Sequence, residues 1–349
     1  MTRLFTLLFS VLVAWSAMAA PRLEGSLGNP ALWQAYRTAF ISPGGRVIDN
    51  ANGNISHSEG QGYGMLLAVA ASDPDTFATL WTWTRSQLML RDDGLAAWRW
   101  DPAATPHVAD RNNASDGDLL IAWALAEAGE AWSQPAYRTA ALQMIRAIAD
   151  HDLVETPLGL ALRPGTTGFG KDDRPDGPVV NLSYWVFPAL TRFAEIAPDR
   201  PFTAVIATGL KLAAAAQFGP QRFPSDWISL AATPPTPAKG FPPTFGYDAI
   251  RIPLYLAWAG HRTPDVFGPY ATAFKSPDQP PQRVDVTTGK VLEPFNDSGY
   301  RAIAALTRCG PKTSGLPDDL QSATVDRYFP STLRALTIIA AHQSQRACP

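Results

Sequence analysis

Residues 57–71 read HSEGQGYGMLLAVAA, an apolar run entered through a serine, a glutamate and three glycines. How this stretch is read decides between two fold classes. A glycine-rich turn between a strand and a helix would mark a nucleotide-binding α/β unit, whose fingerprint is G-x-G-x-x-G. Here the spacing is G-x-G-x-G, and no strand pattern precedes it. The stretch therefore reads as the start of a buried helix with Glu59 in its first turn. Each glycine inside a helix costs about 1 kcal/mol relative to alanine. Gly60, Gly62 and Gly64 must then permit something that offsets the loss: close approach of a polymer beside Glu59, or close packing of a second helix.

Apolar residues at helical spacing recur over residues 32–41, 64–71, 77–90, 119–128, 136–149, 184–196, 202–216, 254–259, 300–307 and 331–343. Strand-like alternation is scarce, so the fold class is all-α. Loops rich in Pro, Gly and Asp cover residues 163–178 and 231–246, and the helical pattern resumes after each without a change of character. One domain over residues 21–349 is expected. Residues 1–20 place Arg3 before an apolar run that ends in Ala17-Met18-Ala19, the layout of a secretory signal peptide. No later segment approaches the roughly 18 apolar residues of a membrane span. The expectation is a periplasmic or secreted protein.

Composition narrows the partners. The 349 residues hold 29 Lys and Arg against 31 Asp and Glu, a net charge of -2. No basic block is present, which excludes the concentrated positive footprint of a nucleic-acid surface. Cys309 and Cys348 are the only cysteines; they have no metal or redox spacing, and an oxidising compartment would allow them to pair. The five histidines stand singly, so neither a metal nor a cofactor is expected.

Polar residues gather where helices begin: Ser58-Glu59, Ser115-Asp116-Gly117-Asp118, Asn181-Leu182-Ser183, Tyr247-Asp248 and Asn296-Asp297-Ser298. Taken singly these are capping residues, and Ser115 with Asp118 has the capping-box spacing. Their recurrence about every 50–70 residues fits helical-hairpin repeats whose ends share one face. Capping does not call for Tyr63, Tyr184, Trp185, Tyr247 and Tyr300 alongside. Carboxylates interleaved with aromatic rings suit a sugar, whose hydroxyls take hydrogen bonds while its C–H faces pack on rings. Cleaving a glycosidic bond needs two carboxyl groups flanking it, and Glu59, Asp116 and Asp248 have the most unusual surroundings. A general acid at a helix N-terminus, which favours anions, keeps its proton only with burial and a neighbouring carboxylate. Asp116 is the expected neighbour.

Four blocks, SEGQGYGM at 58–65, SDGDLLIAWAL at 115–125, NLSYWVFPAL at 181–190 and FGYDAIRIPLYLAW at 245–258, resemble the successive blocks of glycoside hydrolase family 8, in order and over nearly all of the chain after residue 20. The resemblance implies an (α/α)6 barrel of six inner and six outer helices with an open cleft. It implies an inverting endo-acting hydrolase of β-1,4-glucan, set beside the bacterial cellulose synthesis and export complex. Glu59 matches the general acid, Asp248 the general base, and Asp116 the carboxylate that holds the distorted sugar. Tyr184, Tyr247 and Arg251 match side chains around that sugar, and Trp98, or failing it Trp100, a stacking platform. Inversion asks for roughly 6.5–9.5 Å between the acid and the base. Pro253 suits a first helical turn, which leaves Asp248 on the approach to its helix. The remaining tryptophans read as core, and Asp226 beside Trp227 as a distal subsite. A glucan-binding protein without hydrolysis, or a xylan or chitosan hydrolase of the same fold, is the alternative.

Overall fold

The computed structural model describes residues 23–309 and 315–344. Residues 1–20, read in the sequence as a signal peptide, and Cys348 lie outside the described residues; Cys309 is disulfide-bonded. Eleven α-helices are present among the described residues: α1 Pro30–Phe40, α2 Ser58–Ala70, α3 Pro74–Gln87, α4 Ser115–Ala131, α5 Pro135–His151, α6 Phe187–Ile196, α7 Phe202–Ala215, α8 Ile252–Trp258, α9 Pro264–Ala273, α10 Ser298–Arg308 and α11 Tyr328–Gln343. All ten segments expected from periodicity overlap one of them. Residues 184–196 begin later than expected, because a 3-10 turn at Leu182–Tyr184 precedes α6. Only α9 has no counterpart in the sequence reading; its PDVFGPYATA carries Pro269 inside the helix, which weakens the helical signal.

The packing closes into a ring. α2 packs on α4, α4 on α6, α6 on α8, α8 on α10, α10 on α11, and α11 returns to α2. Outside it, α3 covers α2, α5 covers α4, α7 covers α6, α9 covers α8, and α1 covers α11. The sixth outer place, against α10, is taken among the described residues by the 3-10 turn Asp318–Gln321. This is the (α/α)6 barrel. The two layers follow from composition. In α2 every residue except Glu59 is buried, as a helix apolar on all sides must be. In outer α5 only Ala141, Met144, Ile145, Ala147 and Ile148 are buried, a stripe at helical spacing.

The glycines of α2 serve packing, which overturns their reading as room for a polymer. A Cβ on Gly62 would stand 2.5 Å from Leu120 Cβ of α4, one on Gly64 2.8 Å from Val47 Cγ2, and one on Gly60 2.9 Å from the Tyr328 hydroxyl of α11. Each glycine admits a different neighbour. The expectation that no strand precedes α2 is also corrected: Ser56–His57 pairs antiparallel with Arg99–Trp100. Among the described residues the ten strands are no longer than four residues, too short to build a sheet layer.

Candidate active site

The N-termini of α2 and α4 meet at one mouth of the ring. Glu59 and Asp116 are each the second residue of their helix, and Gly117 lets the two ends touch: a Cβ there would lie 2.7 Å from the Glu59 amide nitrogen. Helix N-termini favour negative charge. His57, not Ser58, caps α2, its Nδ1 accepting the Gly60 N–H at 2.9 Å. The expected capping box of Ser115 and Asp118 does not form. Instead Asp118 accepts the Ala96 N–H at 2.8 Å and an Asn113 side-chain N–H at 2.9 Å, so tertiary partners win over the local cap. Asp248 precedes the 3-10 turn Ala249–Arg251 that leads into α8 through Pro253, as the proline implies.

Arg251 joins the three carboxylates. Its Nη1 donates to Glu59 Oε1 and, at 3.1 Å, to Asp116 Oδ2, while Nη2 donates at 2.9 Å to both Asp248 Oδ1 and Ser183 Oγ. The side chain is only 2% exposed, against 3% for Asp116, 17% for Glu59 and 32% for Asp248. Arg251 and Asp116 thus form the floor, and Glu59 and Asp248 face the opening. The expected contact of Arg251 with a sugar needs refinement, since its donors are spent on the acids. Three carboxylates around one guanidinium carry a formal charge of about -2, so the cluster tends to retain a proton. Burial, with the charges of Glu59 and Asp248, pushes Asp116 up to about 7 against the pull of Arg251. Burial also raises Asp248, with Glu59 adding to it and Arg251 and Asn181 opposing.

The cavity is lined by Glu59, Asp116, Asp248, Arg251, Tyr184 and Trp98. Six of the seven residues singled out in the sequence therefore share one space. Trp98 rather than Trp100 reaches it; Trp98 Nε1 is fixed by Asp110 Oδ2 at 2.8 Å, whereas Trp100 packs on His107 and Arg46. Tyr247 is not among the lining residues. It stands 47% exposed on the rim, its hydroxyl donating to Glu293 Oε1 at 3.3 Å and its ring against Phe295.

Asp226 is misread as a distal subsite, for it accepts the N–H groups of Gly246 and Ala249 on either side of Asp248. Trp227 stacks on both Phe169 and Phe241, within an aromatic cluster. Two supports were missed in sequence: Asn181, whose Nδ2 donates to Asp248 Oδ2 at 2.9 Å, and His57, with Nδ1 3.6 Å from Glu59 Oε2 and Nε2 3.6 Å from Asp49 Oδ2. Asn181 lies within a quoted block, yet nothing local points to its partner 67 residues away.

Residues 5–343 match the model of the family described as glycosyl hydrolases family 8. The chain is 36% identical over 345 residues to a probable endoglucanase of Novacetimonas hansenii, covering 95% of this chain and 98% of that protein. It is 37% identical over 295 residues to an endoglucanase of Cellulomonas uda, covering 84% and 80%. Among solved structures, the endo-beta-1,4-glucanase CMCax from Acetobacter xylinum superimposes with a TM-score of 0.83 at 35% identity, covering 93% of this chain and 99% of that one.

Proposed function

The chain belongs to glycosyl hydrolase family 8, and on that premise we propose how its cleft works. The enzyme is an inverting endo-β-1,4-glucanase; Glu59 is its general acid, Asp248 its general base, and Asp116 the carboxylate that holds the sugar at the bond to be cut. The carrying observation is the one buried guanidinium shared by Glu59, Asp116 and Asp248. Glu59 and Asp248 take different nitrogens of Arg251, an arrangement that supports two carboxyls turned toward one space with the guanidinium between them.

In the reaction Glu59 gives its proton to the leaving glycosidic oxygen as the bond from the anomeric carbon breaks. Asp248 takes a proton from water, and the hydroxide equivalent joins that carbon from the opposite face. The enzyme ends with Glu59 ionised and Asp248 protonated, and solvent exchange at these partly exposed groups restores the starting state. The net negative cluster helps to keep an acidic proton available. Trp98 offers a ring for a sugar face, Tyr184 lines the cleavage point, and Tyr247 extends the aromatic surface along the rim.

No helix among the described residues is long and apolar enough to cross a membrane. With residues 1–20 read as an export signal, the enzyme acts on β-1,4-glucan outside the cytoplasm, beside the cellulose synthesis and export complex. That setting rests on the resemblance of the sequence blocks, and co-purification with the complex from membranes tests it.

The activity and roles are tested on carboxymethyl cellulose by viscosity and reducing ends, with wild type, Glu59→Gln and Asp248→Asn. Wild type should lower viscosity early and release the α-anomer first, and each variant should lose at least about 1,000-fold. Wild-type rates in both variants would remove the assignment. A wild type that binds glucan without cleaving it would make the protein a binding component.

A further inference from the structure

Asp248 occupies the N-cap position of the turn Ala249–Arg251, yet its side chain makes no capping bond. An aspartate there ordinarily accepts a backbone N–H of its own helix, because the first N–H groups have no partner within it. The Asp248 carboxylate goes instead to Asn181 and Arg251, at 2.9 Å each. The N–H groups that a cap would take, those of Ile250 and Arg251, go to the backbone carbonyls of Gly246 at 3.1 Å and Asp248 at 3.0 Å, and the N–H of Ala249 ahead of them is taken from another segment. Asp226 Oδ1 accepts the Gly246 N–H at 2.9 Å and the Ala249 N–H at 2.8 Å, the two groups that bracket Tyr247-Asp248. Its Oδ2 accepts from Thr244 Oγ1 at 3.1 Å, and the Asp226 N–H donates to Thr244 O at 2.7 Å. The fit is close: a Cβ on Gly246 would lie 2.4 Å from Asp226 Oδ2.

We propose that Asp226 is a positioning residue for Asp248: it clamps the backbone N–H groups on either side of Tyr247-Asp248, and so leaves the Asp248 carboxylate free to face the cleft. The inference rests on the reading of Asp248 as general base and gives that base its support. Thr244-Phe245 is itself held by pairing with Val284-Asp285, so the clamp ties the turn to a fixed strand. Without Asp226 the Ala249 N–H loses its acceptor and competes for the nearest carboxylate, that of Asp248. Burial first, and then the charge of Asp248, pushes Asp226 up to about 7, against its three hydrogen-bond donors. A protonated Asp226 still works as the clamp: one oxygen accepts both N–H groups while the O–H donates to Thr244 Oγ1. Asparagine reproduces that arrangement, with its carbonyl in place of the first oxygen and its amide in place of the hydroxyl.

The test uses the full enzyme on cellohexaose, with kcat and KM measured separately for Asp226→Ala, Asp226→Asn and Gly246→Ala. A group that places the base acts in the transition state, so kcat should fall with KM little changed. The alanine at 226 should lower kcat about 100-fold, the effect of misplacing a reacting group by about 1 Å, with KM within about threefold. Asparagine should bring kcat back to within about tenfold of wild type. Gly246→Ala keeps an ordinary backbone angle and retains the Asp226 residue, but its Cβ pushes the Asp226 carboxylate off its N–H partners, so it tests the clamp even if Asp226→Ala does not fold; it should repeat the kcat loss. Wild-type kcat in Gly246→Ala or in a folded Asp226→Ala would overturn the inference, and so would asparagine failing as badly as a folded alanine variant. Asp248→Asn separates the two claims. If it keeps wild-type activity, the base assignment itself fails; if it is inactive while the clamp variants turn over normally, only the inference fails.

Discussion

Gly117 of α4 lies against Ser58 of α2 so closely that a Cβ on the glycine would stand 2.1 Å from Ser58 Oγ. This contact sets the spacing of the helix ends that carry Glu59 and Asp116. Gly117→Ala should push them apart, because neither the Ser58 side chain nor the Glu59 backbone beside it can yield without moving α2. Overpacking of this kind costs about 1–3 kcal/mol. Cellulase activity should fall by about 100-fold through misplacement of the acid. Chemical denaturation and a carboxymethyl cellulose assay check both effects, and wild-type values in both would contradict the close approach.

Arg251 supplies the positive charge that three carboxylates share. Arg251→Lys keeps a charge but loses the planar fork that reaches all three, while Arg251→Met removes one partner of a buried ion pair at a cost of about 3–5 kcal/mol. Activity should drop at least about 100-fold. The pH profile should move as well. Arg251 lowers the pKa of both Asp116 and Asp248, so in Arg251→Met the base stays protonated to higher pH and the acid limb of kcat/KM shifts upward. An acid limb that stays in place or moves downward would show that Arg251 does not govern the base.

Much of this was legible because it is local. The inner helices announce themselves by apolar spacing, and the acids at 59, 116 and 248 sit in short blocks with aromatic neighbours. What escaped is set by tertiary contact. Asp118 fits a capping box by spacing, but the folded chain brings Ala96 and Asn113 to it. Arg251 meets Glu59 across 192 residues, so a residue that looks like a sugar contact proves to be the tie between the acids. Gly62 looks like a defect in a helix until Leu120 is placed against it. Tyr247 lies next to Asp248 in sequence, yet it points to the rim.

Asp118 and Asp152 form a second acidic pair, both bonded to the Asn113 side-chain amide. Burial, and for Asp118 the charge of Asp152, raises Asp118 well above its ordinary value. Burial pushes Asp152 up to about 7, with Asn113, Arg163 and Arg91 opposing. A carboxyl whose folded pKa exceeds its unfolded value of 3.8 favours the fold most below the unfolded pKa, and that stability is lost as pH rises through about 7. The enzyme should therefore be less stable at pH 8 than at pH 5, by on the order of 1–3 kcal/mol. Asp152→Asn, which keeps an acceptor for Asn113, should flatten the slope. Urea denaturation at the two pH values reads the difference, and an equal slope in the variant would count against the pair.

His57 performs two tasks that substitution can separate. Its Nδ1 accepts the Gly60 N–H at 2.9 Å, so in the neutral ring the proton sits on Nε2, toward Asp49. As the N-cap of α2 it should contribute about 0.5–2 kcal/mol. Asparagine is also a strong N-cap but is too short to span Asp49 and Glu59. His57→Ala should lose both stability and activity, whereas His57→Asn should recover the denaturation midpoint and still turn over about tenfold more slowly, because Glu59 has lost the imidazole beside it. The contrast follows from chain geometry: the cap holds the first turn of α2, and the bulk of the ring fills the space beside the glutamate that the turn presents. If asparagine restores the rate along with the midpoint, His57 acts on the helix alone. If alanine keeps the wild-type midpoint, the Nδ1 contact carries no capping energy.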